Sequence, residues 1–510
     1  NGAILEKEAL AAVTGRYGIP VICGHELFSD LNAVKRGASA LLNGRLIPVL
    51  HEFLSAIRRA LEARNLSIPV AIVRSDGSLM SERFSGVRPV ETILCGPAAS
   101  IIGAQALSRA REAVIVDMGG TTTDIALIRD GAAVRAENGI HIGGWHTFVK
   151  GVYVETLGLG GDSAIRAENG ALRLESGRHI PLSVLSSRHP GVCDALSALI
   201  EARPKHSLPL HEFFVRVRDI QDSPGYTQTE KRFCAALADG PLIYKDAAQA
   251  IGRDEYGLSF SRLEREGVIL RAGLTPTDIM HITGDFSAFD ARAARLGAHF
   301  VAECAGVDAF SLCEWVYEEV KRKLYLAVAE MLIREELPAL HKSGVDGGLA
   351  AFLHRAWAMA RSGREGTRFS MSTDAVLVGV GAPVHIFLPD VARALGTSCL
   401  VPEAAGVANA LGAVAGSVVA EGRATIRPDG ERFQVLAATF AAQAEDLEAA
   451  NRMARDMAER DARAEAFRRG ATGEAAVRFE EKPLVSSTGY GGDVFIESVV
   501  TATAIGKLSL

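Results

Sequence analysis

The sequence predicts an α/β protein, and three features of its pattern lead to that prediction. Near the N-terminus, helical spacing of apolar residues in "LEKEALAAVTGRY" (5–17) gives way to strand-like runs such as "IPVAIV" (68–73). A loop of glycine and threonine joins two apolar runs in "VIVDMGGTTTDIALIRDG" (114–131). An apolar strand leads into a helix in "AVLVGVGAPVHIFLPDVARALG" (375–396). We therefore expect sheets with helices packed on them.

Composition and charge narrow the class of protein. The chain has 510 residues, of which 48% are hydrophobic, and at roughly 100–200 residues per domain this length predicts two to four domains. Its formal net charge is −6, so we expect neither nucleic acid nor an anionic membrane as the main partner. The seven cysteines are scattered, with no C-x-x-C pair that would indicate zinc or a redox dithiol. This cysteine usage, together with the lack of an apolar run of about 20 residues, favours a cytoplasmic protein.

Changes in pattern divide the chain into four segments. Residues 1–110 alternate between helix and strand, 111–186 are dense in strands and glycine turns, 187–283 contain short helices, and 284–510 are mostly helical. In the last segment, apolar residues at three- and four-residue intervals predict a buried stripe on a helix over 311–337. A polar helix from about 442 to 469 is predicted to present a solvated face.

The loop within residues 114–131 has the composition of a phosphate site. Strand, loop, strand and Asp-Gly turn follow one another, which predicts a β-meander, whereas a Rossmann fingerprint or a P-loop runs from strand into helix. Gly119 and Gly120 allow successive backbone N–H groups to form an anion-binding nest, and the threonine hydroxyls add donors. Asp117 and Asp124 would repel a bare phosphate, yet they suit Mg²⁺, which takes one or two carboxylates together with phosphate oxygens. The alternative is a glycine hairpin with two solvated aspartates.

A second glycine loop follows the strand over 375–378. Gly379 and Gly381 leave no side chain in the way of a ribose or an adenine. Pro389 and Gly396 suit the first turn and the end of the helix that follows. Because many strand-to-helix turns need glycine for steric reasons alone, a purely structural turn is the alternative.

The two loops, in this order and separation, resemble the second phosphate loop and the adenosine loop of the actin, sugar-kinase and heat-shock chaperone ATPase superfamily. A narrower resemblance, to the hydantoinase/oxoprolinase family of the hydantoin utilization protein A type, covers most of the chain. The segments that carry it, from about residue 24 to 416, are "GHELFSDLNAVKRGASALLNGRLIP", "SDGSLM", "PVETILCGPAASIIGA", "VIVDMGGTTTDIALIRDG", "GGWHTFV", "TLGLGGDS", "RLEREGVILRAGLTPTDIMHITG", "VLVGVGAPVHIFLPDVARALG" and "VPEAAGVANALGAVAG".

The resemblance implies a two-lobed actin-like ATPase fold, related to ribonuclease H, with the first lobe incomplete at the N-terminus. Residues 1–110 would be the remainder of the first lobe, 111–186 the phosphate-loop half of the second lobe, 187–283 a helical, winged-helix-like insertion, and 284–510 the adenosine-loop half with the C-terminal helices and strands. Family members carry an earlier D-x-G-G-T loop, and no copy precedes Asp117. We therefore expect either a sequence that begins in mid-domain, which its abrupt start favours, or a divergent, inactive form.

The family also implies a function. Its members use ATP to activate a cyclic amide, such as a hydantoin or 5-oxoproline, by phosphorylation for ring opening, so the implied cofactors are ATP and Mg²⁺. A hydantoinase B-type subunit and self-association are the partners left open, as is the exact substrate. A chaperone-like or reactivating ATPase and a subunit of an ATP-dependent carboxylase are alternatives. A winged-helix regulator is disfavoured, because residues 228–271 carry seven basic and seven acidic residues rather than a basic stripe.

The resemblance assigns roles to individual residues. Asp162 is interpreted as a base or as a ligand of a metal-bound water, with a turn-capping aspartate as the alternative. The implied catalytic residues are Asp117, Asp124 and Asp162, of which the first two are also the implied metal ligands. The implied nucleotide-binding residues are Gly119, Gly120, Thr121, Thr122, Thr123, Gly160, Gly161, Gly379, Gly381 and Ala382.

Four further residues in family-like segments have two alternative interpretations, one structural and one functional. Cys95 stands where the family pattern has serine, and an inert, buried thiol is favoured over a nucleophile. His25, Asp278 and His281 could touch substrate or metal, but helix capping for the aspartate and simple packing for the histidines are favoured.

Overall fold

The computed structural model of the chain describes residues 3–19, 21–27, 32–136, 138–142, 145–204, 207–337, 347–362, 367, 369–438, 440–487 and 493–508. Its contacts divide the chain into two compact units. Unit 1 comprises Asn1–Arg109, Ala132–Tyr153 and Val407–Leu510, and unit 2 comprises Ala110–Gly131 and Val154–Gly406. Both units mix helices and strands, so the predicted α/β class is confirmed. The predicted segment 284–510 is divided between the units, and the roles of the four segments as parts of ATPase lobes stay predictions.

Helices occur along the whole chain, and the predicted helix over 311–337 is observed at Ala309–Glu336 with its apolar stripe buried. Among the described residues no single helix has the length and apolar content of a membrane span. The helices Arg292–Ala305 and Ala309–Glu336, bent by 90°, meet that test only as a pair. The α-helices are α1 (Ile4–Tyr17), α2 (Gly24–Leu27), α3 (Ala33–Glu62), α4 (Glu82–Val87), α5 (Cys95–Ser108), α6 (Leu182–Arg188), α7 (Gly191–Ala202), α8 (Gln228–Ala236), α9 (Tyr244–Ala250), α10 (Ser261–Arg265), α11 (Pro276–Thr283), α12 (Arg292–Ala305), α13 (Ala309–Glu336), α14 (Gly347–Ser362), α15 (Val384–Ala394), α16 (Ala408–Ala415) and α17 (Leu447–Arg469).

The strands range from two-residue pairings to long hairpin arms. They are β1 (Ala71–Val73), β2 (Leu79–Ser81), β3 (Ala113–Met118), β4 (Thr123–Arg129), β5 (Ala132–Ala133), β6 (His141–Ile142), β7 (Trp145–His146), β8 (Val154–Leu157), β9 (Ser163–Glu168), β10 (Ala171–Arg178), β11 (Ile180–Pro181), β12 (Phe213–Arg216), β13 (Leu242–Ile243), β14 (Ile269–Gly273), β15 (Val376–Val380), β16 (Cys399–Leu400), β17 (Val418–Asp429), β18 (Arg432–Ala437), β19 (Ala441–Ala444), β20 (Ala471–Ser487) and β21 (Asp493–Leu508).

A mixed sheet forms the centre of unit 2. The strands of this sheet that belong to unit 2 lie in the order β16-β15-β3-β4, and β8 also pairs with β4. Strand β15 is parallel to both β16 and β3, and β3 is antiparallel to β4. Strands β3 and β4 are almost entirely buried, which explains their near-continuous apolar sequences. The sheet therefore brings the two glycine loops, which follow β3 and β15, to the same edge.

The predicted insertion over 187–283 contains more sheet than expected. A four-stranded sheet in the order β11-β14-β12-β13 runs through it, with helices α8 to α10 alongside. Its core includes the rings of Phe233 and Phe260, stacked with centroids 3.9 Å apart. The sequence predicted a helical, winged-helix-like insertion. In the structure, β14 near its end pairs antiparallel with the upstream strand β12, so strands contribute as well as helices.

Unit 1 contains an antiparallel sheet in the order β19-β18-β17-β21-β20, formed by residues after 417. Helix α17 packs on this sheet through a stripe of small residues, including Ala450, Ala454, Ala458 and Ala462, all fully buried. The predicted solvated face of this polar helix therefore covers only part of its surface. Its other side packs on the sheet, because alanine at helical spacing allows close approach.

Helices α5 and α16 of unit 1 cross so closely that their backbones are nearly in contact. A Cβ atom on Gly103 would lie 1.8 Å from the carbonyl oxygen of Ala408, and one on Gly412 would lie 1.8 Å from that of Ala99. Only glycine fits at both positions, so this pair of helices depends on two small residues for its packing.

Candidate active site

The candidate phosphate loop is the hairpin between β3 and β4 in unit 2. These strands pair antiparallel with Met118 opposite Thr123. The N–H of Gly119 donates to the carbonyl of Thr122 over 2.9 Å, which closes a loop of residues 119–122. The predicted glycine hairpin is therefore present, and its tip is exposed.

Two successive N–H groups at the tip of the loop are not used in hydrogen bonds within the described part of the chain. The N–H groups of Gly120 and Thr121 donate to no protein acceptor there. Successive free N–H groups in a tight turn form a concave anion site. Such a pair of donors can bind an oxyanion.

The threonines of the loop divide into two roles. Thr123 is fully buried, and its hydroxyl donates to the carbonyl of Leu159 over 2.7 Å. That hydroxyl therefore stabilises the frame of the site and cannot also bind a ligand at the exposed tip. Thr121 is exposed and Thr122 partly exposed, so their hydroxyls can reach a bound anion.

Asp117 and Asp124 stand directly opposite each other on β3 and β4. Residues in that relation point to the same face of a sheet, with Cβ atoms about 4.5–5.5 Å apart. Burial and then the negative charge of Asp117 raise the pKa of Asp124, while a 2.6 Å hydrogen bond from the hydroxyl of Thr156 opposes the shift. The two carboxylates thus form a like-charged pair of hard oxygen donors beside the loop.

A second loop, residues 158–162, lies against the phosphate loop through backbone contacts. The N–H of Gly161 donates to the carbonyl of Gly119 over 3.1 Å, and the N–H of Asp162 donates to that of Gly120 over 2.6 Å. A Cβ atom on Gly160 would lie 2.3 Å from the carbonyl oxygen of Gly120. The contact between the two loops therefore requires glycine at position 160.

The carboxylate of Asp162 lies beside Gly120. Its Oδ2 atom would be 2.7 Å from a Cβ atom at Gly120 and is 3.5 Å from Nε of Arg178. Burial raises the pKa of Asp162, and the Arg178 guanidinium partly offsets this shift. The hydroxyl of Ser163, not Asp162, caps the turn by accepting from the N–H of Gly160 over 3.0 Å. The Asp162 carboxylate is consequently left to face the phosphate loop.

Helix α11 holds this second loop in place through hydrogen bonds. The N–H and the hydroxyl of Thr277 both donate to the carbonyl of Gly161, each over 2.8 Å. Asp278 is fully buried and accepts from the N–H groups of Leu182 and Ser183, so it caps helix α6 as well as its own helix. The favoured capping role of Asp278 is thereby confirmed.

The candidate adenosine loop adjoins the phosphate loop. Strand β15 runs parallel to β3 with Val380 opposite Asp117. Gly381 has a φ of +91°, and a Cβ atom there would lie 2.2 Å from the carbonyl oxygen of Met118 and 3.2 Å from Oδ1 of Asp117. Ala382, the next residue, is exposed. The two glycine loops that the sequence singled out therefore meet at one carboxylate.

Comparison with known proteins finds a family similarity for part of the chain. Residues 36–182, which include the candidate phosphate loop and Asp162, match the model of the hydantoinase/oxoprolinase family. This segment of the chain is therefore similar to the hydantoinase/oxoprolinase family. The chain is 28% identical over 162 residues to the caprolactamase subunit alpha of Pseudomonas jessenii, a match that covers 31% of this chain and 23% of that protein. It is 32% identical over 169 residues to 5-oxoprolinase 1 of Arabidopsis thaliana, covering 32% of this chain and 12% of the relative.

A solved structure supports the fold assignment. The nucleotide-free structure of acetone carboxylase, described as an ATP-dependent enzyme, superimposes with a TM-score of 0.53 at 14% identity. The similarity covers 99% of this chain and 62% of the acetone carboxylase chain. At this identity the likeness concerns the fold alone. The chain spans less than two thirds of the length of each of these relatives.

Cys95 and His281, two further candidate residues from the sequence, lie in other surroundings. Cys95 begins α5 in unit 1, and burial raises the pKa of its thiol, which therefore stays protonated at neutral pH. His281 is buried; its Nδ1 lies 2.8 Å from the carbonyl of Thr277, and its Nε2 accepts from the N–H of Phe289. Both residues are accounted for by packing.

Three neighbours of the site were not singled out as site residues in the sequence. Thr156 bonds Asp124, Arg178 lies beside Asp162, and Thr277 holds Gly161. Each belongs to an ordinary strand or helix segment, without the glycine and aspartate pattern that marked the loops. Only the pairing of strand β8 with β4 and the return of chain through α11 bring them to the site.

Proposed function

We propose that the protein binds ATP at the phosphate and adenosine loops of unit 2 and uses it to activate a cyclic amide for ring opening. The observation that carries this proposal is the pair Asp117 and Asp124 beside a loop with two free N–H groups, next to the Gly381 loop. An actin-like ATPase architecture is part of the same proposal.

The residues of the loop suit the triphosphate. The N–H groups of Gly120 and Thr121 would bind phosphate oxygens, and the hydroxyls of Thr121 and Thr122 would add two donors. Because these donors are held by the hairpin before the ligand arrives, no reorganisation opposes binding at the moment of reaction. Gly379, predicted to lie against the nucleotide, is buried against Val384 and Leu388, so it has a packing role. The partly exposed Gly381 and the exposed Ala382 would accommodate the adenosine.

The two aspartates suit Mg²⁺. Both side chains offer carboxylate oxygens, the ligands that this ion prefers, and their mutual repulsion would be relieved by a divalent cation. Asp117 and Asp124 would hold the ion directly or through its waters. When bound, Mg²⁺ neutralises the negative charge that develops on the phosphate oxygens during phosphoryl transfer.

We assign Asp162 the role of a proton acceptor. Its carboxylate faces the phosphate loop, and a raised pKa brings its basicity closer to neutral pH. The acceptor would take the proton of an attacking water, and Arg178 would hold the carboxylate in place. The ring-opening chemistry itself balances with one ATP and two waters, which give the open-chain amino acid, ADP and phosphate.

An amide carbonyl needs such activation because it is a poor electrophile. Transfer of the γ-phosphoryl group to the carbonyl oxygen breaks the bond between the β-phosphate oxygen and the γ-phosphorus and releases ADP. Water then adds to the same carbon, the carbon–nitrogen bond breaks, and a second water releases phosphate from the resulting acyl phosphate. The printed names of two relatives, caprolactamase and 5-oxoprolinase, both point to cyclic amides as substrates, and we extend that class to this protein.

The first experiment is ATP hydrolysis by the intact protein against a panel of lactams, hydantoins, 5-oxoproline and cyclic imides. We expect one ring to raise turnover at least tenfold. Asp117→Asn should abolish this stimulation, because it removes a charged ligand for Mg²⁺. Asp130→Asn is the matched control, since Asp130 lies in the exposed turn after β4 with a side chain 89% exposed.

Other outcomes would redirect the proposal. Since one relative is called a subunit, the panel is repeated with a hydantoinase B-type subunit, which we propose as a partner. Stimulation by ketone and bicarbonate instead of a ring would favour the carboxylase alternative, and stimulation by a protein client would favour the chaperone-like ATPase. ATP hydrolysis that Asp117→Asn leaves intact would refute the assignment of this site.

A further inference from the structure

Three side chains of unit 1 bring a sulfur, a nitrogen and an oxygen donor to one point. Glu6 lies on α1, and Cys23 and His25 lie at the start of α2. One ligand atom from each lies within 4.8 Å of the others. Nδ1 of His25 is 2.9 Å from Oε2 of Glu6, and the backbone N–H of His25 donates to the same oxygen over 3.0 Å.

We propose that Glu6, Cys23 and His25 form a binding site for a single zinc-like transition-metal ion. A thiolate, an imidazole and a carboxylate are the three ligand types that zinc accepts, whereas a thiolate ligand disfavours Mg²⁺ and Ca²⁺. Bonds of roughly 2.0–2.3 Å in a tetrahedron place ligand atoms about 3.3–3.7 Å apart. The observed separations of up to 4.8 Å need only small side-chain rotations to reach that geometry.

The surroundings leave room for a fourth ligand. A cavity of about 390 Å³, lined in part by Glu6, Cys23, Gly24 and Arg36, opens beside the donor atoms. A water molecule can therefore complete the coordination, as three protein ligands plus water is a common zinc arrangement.

Arg36 orients the carboxylate. Its Nη2 atom donates to Oε1 of Glu6 over 3.0 Å, which leaves Oε2 facing His25. Hydrogen bonds of this outer-shell kind fix the direction of a metal ligand, and their loss typically lowers metal affinity by about 10–100-fold.

The position of the cluster suggests what the ion would do. Helix α1 extends for 14 residues without one fully buried side chain. Polar contacts of Glu6 with His25 and Arg36 join it to α2 and α3. A metal ion bonded to Glu6 on one side and to Cys23 and His25 on the other would link α1 covalently to the next segment. This role is separate from ATP binding in unit 2.

Cobalt(II) is the probe, because a thiolate ligand gives it an intense sulfur-to-metal absorption band in the near ultraviolet. We expect the metal-stripped intact protein, without ATP, to develop that band with one equivalent of cobalt and to lose it when zinc is added. Cys23→Ser should remove the band, and Glu6→Gln and His25→Gln should weaken cobalt binding at least tenfold. Cys304→Ser, which changes an exposed cysteine on α12, is the control and should leave the band unchanged.

The aspartates of unit 2 cannot imitate this result, since oxygen ligands give no sulfur-to-cobalt band. Should a variant fail to fold, the wild-type protein still provides the test through alkylation of Cys23, followed by mass spectrometry of its peptide. Metal binding should slow that alkylation at least tenfold. No band with the wild-type protein, a band that persists in Cys23→Ser, or alkylation unaffected by the metal would each overturn the proposal.

Discussion

The substitution Gly160→Ala tests whether the contact between the two loops of unit 2 positions the site. The new Cβ atom would lie 2.3 Å from the carbonyl oxygen of Gly120, 2.5 Å from its carbonyl carbon and 2.8 Å from the carbonyl oxygen of Gly119. All three are backbone atoms, so no side-chain rotation relieves the overlap. Ordinary contact begins near 3.4 Å, and one loop must therefore move by about 1.1 Å.

This displacement sets the expected magnitude. A misplacement of about 1 Å at a reacting centre costs on the order of 100-fold in rate, or about 2.7 kcal/mol of transition-state stabilisation. Overpacking of this kind also lowers the free energy of unfolding by about 1–3 kcal/mol. We therefore expect kcat/KM for ATP hydrolysis to fall about 100-fold in a protein that still folds.

The assay is steady-state ATP hydrolysis together with urea unfolding at the same temperature. Gly191→Ala is the control, because nothing lies within 4 Å of a Cβ atom at that position on α7, and it should change neither quantity. A folded Gly160→Ala protein with wild-type kcat/KM would refute the reasoning, since the loops would then be free to separate without loss of function.

Three further predictions follow from the same geometry. Asp124→Asn should lower ATP hydrolysis at least tenfold. It should nevertheless raise the thermal midpoint at pH 7, because the raised pKa of Asp124 means that its charged carboxylate opposes folding. Differential scanning fluorimetry should show that this gain in thermal midpoint shrinks as the pH falls through the pKa of Asp124. Thr123→Val should lower the free energy of unfolding in a urea titration by about 1–3 kcal/mol, because it leaves the buried carbonyl of Leu159 without its donor. Thr121→Val, at an exposed position, should weaken ATP binding measured by calorimetry and leave the free energy of unfolding unchanged. Gly103→Ala should destabilise unit 1 by about 1–3 kcal/mol or more in the same titration, because its Cβ atom would overlap a backbone carbonyl of α16.

The parts of the site that the sequence predicted are those whose requirements are local. A hairpin with exposed N–H groups needs glycine at its tip, and both Gly119 and Gly120 are visible in five consecutive letters. The register of that hairpin then places Asp117 opposite Asp124 without further information. The helix at Ala309–Glu336 was predictable for a similar reason, because its apolar spacing is a property of a single segment.

The parts that the sequence did not predict depend on contacts between distant segments. Pairing of β15 with β3 joins strands that are far apart in the chain, and no local pattern sets that choice. The same holds for the grouping of residues 407–510 with the N-terminal part in unit 1. Arg178 reaches Asp162 only because the hairpin of β9 and β10 folds back on itself. An arginine in a strand carries no sign of such a partner.

The acidic residues of the protein differ in the direction of their pKa shifts. Burial alone would raise the pKa of every one of them, yet Arg74 holds the pKa of Asp76 below its usual value and that of Glu91 at about 2. In unit 2, Asp124 has a hydroxyl and another carboxylate as its neighbours, and its pKa is raised instead. Folding stability alone would select against that arrangement, since it places like charges together in a partly dry site. Under the proposal that Mg²⁺ binds here, the cation would relieve this repulsion and make the pair a favourable contact.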